Sequence, residues 1–288
     1  MKSSSILLNG IVHRVYRWGS PKLPKLFFLH GWLDTGASFD FVSASLEKKF
    51  HCIAIDLRGY GKSAWSKNKL GYFFYEYVAD LHALVEKISP KDPVRLVGHS
   101  LGGAVTTVFS GTFPERVSHL ANVEGFRIPE RHPEIAPGRV RSWIEAQGKE
   151  RFRSFPTLKE FASRLRQSNP KLPEDRALFL ARHLGKRGKD GWTMAADPQH
   201  KLTEPYLMSP EVYEAFWGKI LAKTLFVSAD ETEKTGRFGE LDLPNTVRHD
   251  PKKLPPGTRK EIIADCGHMV HHERPEVLGK ILASFLSE

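Results

Sequence analysis

The sequence predicts an α/β protein, a mostly parallel central sheet flanked by helices and interrupted by an inserted helical cap. Three observations carry that prediction. Short apolar runs alternate with helix-spaced apolar patterns through the first half of the chain. A long stretch punctuated by prolines and free of strand-like runs follows. Strand-like runs then resume ahead of a final helical pattern. Parallel strands joined through helices are buried on both faces, so they read as continuous apolar runs rather than alternating ones.

Taken in order, residues 11–18 read as an antiparallel edge strand. Lys25-Leu26-Phe27-Phe28-Leu29-His30, His51-Cys52-Ile53-Ala54-Ile55-Asp56 and Pro93-Val94-Arg95-Leu96-Val97-Gly98 read as buried strands. Between the last two, Tyr77, Leu81, Leu84, Val85 and Ile88 fall at helical spacing within residues 72–88. Residues 101–113 are small and apolar, as a buried helix would be, and 117–124 form a fourth buried strand. From Arg127 to about Lys219 no run has strand character. This segment carries prolines from Pro129 to Pro210 and 18 Lys/Arg against 12 Asp/Glu. Strands resume at 223–228 and 259–264. Pro275 suits the first position of a last helix running to the chain end. The expected division is a core of residues 1–126 and 220–288 with a cap, or lid, of residues 127–219. A charged insertion over a sheet's carboxyl edge is where a substrate lid sits.

Composition narrows the function classes. The chain has 288 residues, 40% of them hydrophobic, enough for a sizeable core and too many for a disordered chain. Two cysteines exclude a disulfide-dense scaffold and a four-thiolate zinc site. No apolar run approaches the ~20 residues of a membrane span. The apolar stretch near the start, Ile6-Leu7-Leu8, is too short for a signal-peptide core. The expected setting is therefore cytoplasmic. Net charge is +10. Without a Lys/Arg block interleaved with aromatics, that charge reads as a basic surface rather than a nucleic-acid interface.

Gly98-His99-Ser100-Leu101-Gly102 has the form G-x-S-x-G, at the end of a strand and the start of a helix. A serine in that tight turn stands proud of the backbone, and the flanking glycines let neighbouring segments approach. The helix N-terminus adds positive potential where an oxyanion would form. A nucleophilic serine needs a base. His268, in Cys266-Gly267-His268, lies in a loop after the last strand, where a histidine can reach the turn from the sheet's carboxyl edge. His99 adjoins the serine but points away from it. His271 and His272, lacking an acid or cysteine at ligand spacing, read as a loop and helix start rather than a metal site. His30-Gly31-Trp32 follows a buried strand, and its glycine permits a turn that aims an amide at the serine. The oxyanion donors are assigned to the backbone N–H groups of Trp32 and Leu101. Gly61-Lys62-Ser63 hints at a phosphate loop, but Asp56 stands where that motif requires its first glycine. The stretch 56–63 is read as a structural turn in which Asp56 and Arg58 tie loops together. No metal, nucleotide or flavin site is expected, and no cofactor.

Together, His30-Gly31, residues 56–63, Gly98 to Gly103, Phe113-Pro114-Glu115-Arg116-Val117 and Gly267-His268 resemble the α/β-hydrolase fold superfamily. Val123-Glu124-Gly125-Phe126, the stretch 192–206, and His271 with Glu273-Arg274-Pro275 are similar to its serine-hydrolase-like subgroup. The resemblance implies a Ser–His–acid triad, and here the chain departs from the common pattern. The acid usually follows the strand at 223–228, as the fourth residue of a G-x-x-D-like turn. In that register the glycine is Ala229 and the acid is Thr232, with Asp230 and Glu231 out of step. Haloalkane dehalogenases place the acid after the preceding strand, where this chain has Glu124. Glu124 is the favoured acid and Asp230 the alternative.

The expected activity is that of a serine hydrolase of the carboxylesterase type, cleaving a small-molecule ester through an acyl-enzyme. Dehalogenase and epoxide hydrolase chemistry needs an aspartate nucleophile, and this chain has Ser100. A cofactor-free perhydrolase or carbon–carbon hydrolase would share the triad. A receptor or scaffold on the same frame is the non-enzymatic alternative. Aromatic residues such as Trp143, Phe152, Phe179, Trp192, Tyr206 and Trp217 supply either an apolar substrate lining or helix packing in the cap. The basic excess of the cap suggests an anionic moiety on an otherwise apolar acyl substrate. The sequence leaves the oligomeric state open.

Overall fold

A computed structural model describes residues 1–125, 133–205, 208–235 and 254–288. Phe126, the first residues of the expected cap through residue 132, and Tyr206 lie outside them. The described strands of the main sheet are β1 (Lys2–Leu8), β2 (Ile11–Trp18), β3 (Lys25–Leu29), β4 (His51–Ile55), β5 (Val94–His99), β6 (Val117–Val123), β10 (Lys223–Ala229) and β11 (Arg259–Ile263). They lie in the order β1-β2-β4-β3-β5-β6-β10-β11. Every pairing from β4 to β11 is parallel, and β1–β2 and β2–β4 are antiparallel. The strand at 11–18 is therefore not the edge that the sequence suggests. Its outer partner is β1, built from Lys2-Ser3-Ser4-Ser5-Ile6-Leu7-Leu8. Exposed serines gave that strand no apolar signature.

Side chains alternate across the sheet and both faces are covered. Phe27 and Leu29 of β3 point into one cluster, while Leu26 and Phe28 point into the other. Helices α2 (Phe74–Ile88) and α3 (Leu101–Thr112) close the first face, using Tyr77, Leu81, Leu84 and Val85 together with Val105, Val108 and Phe109. On the second face lie α1 (Asp40–Ser43), α9 (Val270–Glu273) and α10 (Pro275–Phe285), with Val42, Val270, Leu278, Leu282 and Phe285 buried. Burial of a large aliphatic or aromatic side chain stabilises by about 1.5–3 kcal/mol, so these two layers dominate the fold's stability.

Between β6 and β10 the chain carries α4 (Ala136–Ala146), α5 (Leu158–Ser168), α6 (Glu174–Leu184) and α7 (Pro210–Trp217). It is not purely helical. β7 (Ser154–Phe155), β8 (Gly185–Gly188) and β9 (Gly191–Met194) form a separate antiparallel sheet in the order β7-β9-β8, which corrects the expectation of a strandless insertion. Phe161, Ala177, Leu180, Ala181 and Leu184 make this region's own small core. Trp192 and Phe179 pack against it, while Tyr213 and Trp217 join the core beside α3, so these aromatics serve helix packing. After β10, α8 (Asp230–Thr235) opens the next segment. Among the described residues no helix is long and apolar enough to cross a membrane.

Candidate active site

The carboxyl ends of β3, β5, β6 and β10 converge, and each contributes a residue or loop to one site. β5 ends at His99 and α3 begins at Leu101, leaving Ser100 alone in the turn at φ 51° and ψ −116°. A non-glycine residue there is strained by about 1–3 kcal/mol and persists only where its surroundings over-determine it. They do so here. A Cβ on Gly102 would lie 2.2 Å from the Leu29 carbonyl oxygen, and one on Gly98 2.3 Å from that of Gly102. Glycine at both places lets α3 press directly onto β3 and β5. The Ser100 amide donates to Val123 O at 2.9 Å, pinning the turn to β6. As the first residue of α3, Leu101 has an amide with no acceptor inside the helix.

Glu124 follows β6 at φ 60° and is buried. Its amide donates to Val227 O (2.9 Å), and its Oε1 accepts the Ala229 amide (2.8 Å), so the end of β10 fixes the carboxylate. Oε2 lies 3.0 Å from His268 Nδ1. Ser100, His268 and Glu124 thus come from three strand ends, and the imidazole remains partly open, its side chain 15% exposed. Asp230 is turned to a different partner. Its Oδ1 accepts the Cys266 amide at 3.2 Å. Thr232, the residue in register with the usual acid, is buried at the start of α8.

The loop after β3 is held by His30. Its Nδ1 lies 2.7 Å from Gly31 O and its Nε2 accepts the Leu57 amide at 3.0 Å, which sets the neutral Nδ1–H tautomer. Gly31 faces the nucleophile turn, where a Cβ would stand 2.8 Å from His99 Nδ1 and 3.1 Å from Ser100 Cβ. Trp32, the next residue, is half exposed.

Several positions matter that the motifs did not reveal. Asn122 Nδ2 donates to Gly103 O (3.0 Å) and Thr107 Oγ1 (2.9 Å), and its Oδ1 accepts the Gly125 amide (2.8 Å). It braces α3 against the turn that carries Glu124. An amide side chain inside the apolar run Leu120-Ala121-Asn122-Val123 was the available signal. His99 is buried, and its Nε2 donates to the His268 carbonyl at 2.9 Å, so the residue before the serine tethers the histidine loop. Glu273 Oε2 accepts the Gly267 amide at 2.8 Å from the other side.

Asp56 and Arg58 tie loops together through separate partners. Asp56 accepts from Thr35 Oγ1 (2.6 Å), Gly36 N (2.7 Å), Lys62 N (2.8 Å) and Tyr16 Oη (3.0 Å). Arg58 clasps Asp80 at 2.6 and 2.7 Å and also reaches Glu76.

Asp34, His271 and His272 form a buried group with metal-like donor spacing. Asp34 Oδ2 accepts from His271 Nε2 at 2.8 Å and Ser38 Oγ at 3.0 Å, and His272 Nε2 lies 3.3 Å away. A metal-bound His271 ring would carry its proton on Nδ1, yet that buried atom has no acceptor among the described residues. The chemistry of the set therefore fits a hydrogen-bonded brace behind the His268 loop. Burial opposes charge on Asp34, but His272 and His271 beside it hold its carboxyl well below the usual range. Burial lowers His271 to about 4, with the neighbouring His272 adding to the shift. His99 is pushed well below the ordinary histidine value by burial, then by His271 and His268. The His99 and His271 rings are thus neutral near pH 7.

Residues 24–275 match the family model described as alpha/beta hydrolase fold. The chain is 26% identical over 278 residues to the serine hydrolase-like protein of Danio rerio, spanning 93% of this chain and 83% of that one. It is 25% identical over 279 residues to serine hydrolase-like protein 2 of Homo sapiens, spanning 93% and 88%. A thioesterase domain from a curacin biosynthetic pathway superposes with a TM-score of 0.86 at 21% identity, covering 99% of both chains.

Proposed function

The chain belongs to the α/β-hydrolase fold family, with serine-hydrolase-like relatives, and on that premise we propose that it is a serine hydrolase cleaving a small-molecule ester through an acyl-enzyme. One observation carries the reading. The buried Glu124 carboxylate lies 3.0 Å from His268 Nδ1, on the same sheet edge as a serine held at φ 51° in a strand-to-helix turn.

The roles follow from the chemistry. Glu124 holds the proton of His268 on Nδ1, leaving Nε2 as the base for the Ser100 hydroxyl. Ser100 Oγ attacks the substrate carbonyl carbon while His268 takes the proton. The amides of Trp32 and Leu101 receive the negative oxygen of the tetrahedral intermediate, and the N-terminus of α3 adds its positive potential. His268 returns the proton to the leaving alcohol as the C–O bond breaks. Water then repeats the attack on the acyl-Ser100 ester, releasing the acid. No step calls on a cofactor. The segment between β6 and β10 serves as the cap over the core, and its basic excess suits an apolar acyl substrate bearing an anionic group.

The test is a fluorophosphonate probe with the adduct located by peptide mass spectrometry. The reagent needs an activated serine and an oxyanion hole but little substrate specificity. A stoichiometric adduct on Ser100, lost in His268→Ala, is the expected result. A folded protein that stays unlabelled would overturn the reading.

A further inference from the structure

The indole of Trp32 reaches away from the loop that its own amide serves. Its Nε1–H donates to the backbone carbonyl of His200 at 3.0 Å, across 168 residues. That carbonyl belongs to a strap, residues 195–202, in the segment between β6 and β10. The strap is fastened to core loops along its length. Trp65 Nε1 donates to Ala195 O at 3.0 Å, and the Asp197 amide donates to Gly59 O at 2.8 Å. Tyr72 Oη donates to Asp197 Oδ2 at 2.9 Å, and the Gly71 amide to Gln199 Oε1 at 3.1 Å.

The His200 ring is inserted between two tyrosines. Its centroid lies 3.7 Å from that of Tyr60 and 3.9 Å from that of Tyr72, with both pairs stacked. Gly59, at φ 76°, leaves the space, since a Cβ there would meet Tyr72 Oη at 2.4 Å and His200 Nε2 at 2.6 Å. The acceptor offered to Trp32 is thus a rigid one.

The peptide that carries the Trp32 amide is held from within its own loop, since its Gly31 carbonyl lies 2.7 Å from His30 Nδ1. Gly31 precedes Trp32, and Leu33 follows at φ 54°. A hydrogen bond from the Asp34 amide to Gly31 O, 3.3 Å, closes the turn. The indole contact ties the side chain of the same residue to the strap, 168 residues away. We propose that the Trp32 side chain is a positioning residue: seating the strap on the core aims the Trp32 amide into the oxyanion hole. The ring does no chemistry itself. This inference rests on the serine-hydrolase reading above and adds to it a dependence of transition-state stabilisation on the strap.

Trp32→Phe keeps an aromatic ring and deletes the N–H donor. Trp32 is 45% exposed, and phenylalanine retains much of its buried apolar area, so the exchange costs little stability. The loss of a whole oxyanion donor costs about 10²–10³ in kcat, so a misaimed donor is expected to cost about tenfold. The expected result is a parallel fall of about tenfold in the Ser100 phosphonylation rate and in kcat for a reporter ester. KM and thermal midpoint should stay near wild type. Tyr72→Phe, which removes one of the hydrogen bonds that fasten Asp197 of the strap to the core, should shift kcat in the same direction by less. Wild-type labelling rates in Trp32→Phe would overturn the inference while leaving the hydrolase reading intact. A kcat loss accompanied by a large drop in thermal midpoint would overturn it too, because the contact would then be structural. Wild-type protein that takes no label would remove the reading and this inference together.

Discussion

Glu124 carries its charge into a site where two groups are aimed at it, the Ala229 amide on Oε1 and His268 Nδ1 on Oε2. Glu124→Gln keeps the shape and removes the charge. The amide could then present an N–H to Nδ1, which favours the wrong imidazole tautomer. In the proposed triad that change should lower kcat by about 10³–10⁴ with KM little affected. Asp230→Asn, whose carboxylate caps the Cys266 amide instead, should cost less than about tenfold. Steady-state kinetics on both variants decide the order, and a reversed order would move the acid's role to Asp230. Ser100 and His268 stand out in the sequence as candidates because their signals are local: a glycine-flanked serine between strand and helix, and a histidine after the last strand. Glu124 was harder to single out, since its hold on His268 spans 144 residues and sequence offered two strand ends for it. The Asp34–His271 brace, 237 residues apart, left no local trace at all.

At the level of elements, α3 sits where it does because its first turn lacks side chains on the face toward β3. Gly102→Ala would put a methyl 2.2 Å from Leu29 O and 2.7 Å from His30 O. Both atoms are backbone, so no rotamer change relieves the overlap and the helix must move. Overpacking of this kind costs about 1–3 kcal/mol. The expected outcome is a lower urea midpoint with an unchanged slope, and a loss of Ser100 labelling larger than that destabilisation alone implies. A variant with normal stability and labelling would show that the close approach of α3 to β3 is dispensable. The parallel strands were readable for the reason this packing is tight: both faces are buried, so the runs are apolar. The misread elements are those without that pressure. β1 exposes most of its side chains, and β8 and β9 expose or half-expose theirs. A signal was present in the second case, since the two-residue loop Lys189-Asp190 that joins β8 to β9 is flanked by Gly188 and Gly191, turn-favouring residues between the two strands.

For the molecule as a whole, the consequence of this architecture is acid sensitivity with a defined window. His99 and His271 are buried beneath the His268 loop, and His200 is buried where the strap meets the core. Burial lowers His200 to about 3 and His271 to about 4, and His99 falls well below its ordinary value. In the unfolded chain each ring titrates near 6.5. Above that pH both states hold the rings neutral, and they contribute no pH dependence. As pH falls from about 6.5 toward 4, the unfolded chain takes up protons that the native state refuses, so stability falls by up to about 1.4 kcal/mol per pH unit for each ring. The buried carboxylates act later. Asp34 and Asp80 are held below their ordinary values, burial of each being outweighed by partners: His272 and His271 for Asp34, Arg58 and His13 for Asp80. Their contribution is kept until the pH drops below about 4. The urea midpoint should therefore decline between pH 6.5 and 4, before any loss attributable to carboxylates. His271→Gln, which retains a donor for Asp34, should flatten part of that decline. A midpoint constant from pH 7 to 4.5 would mean that these rings are solvated in the native protein, and that neither the brace behind His268 nor the seat of the strap is packed as tightly as the contacts around them require.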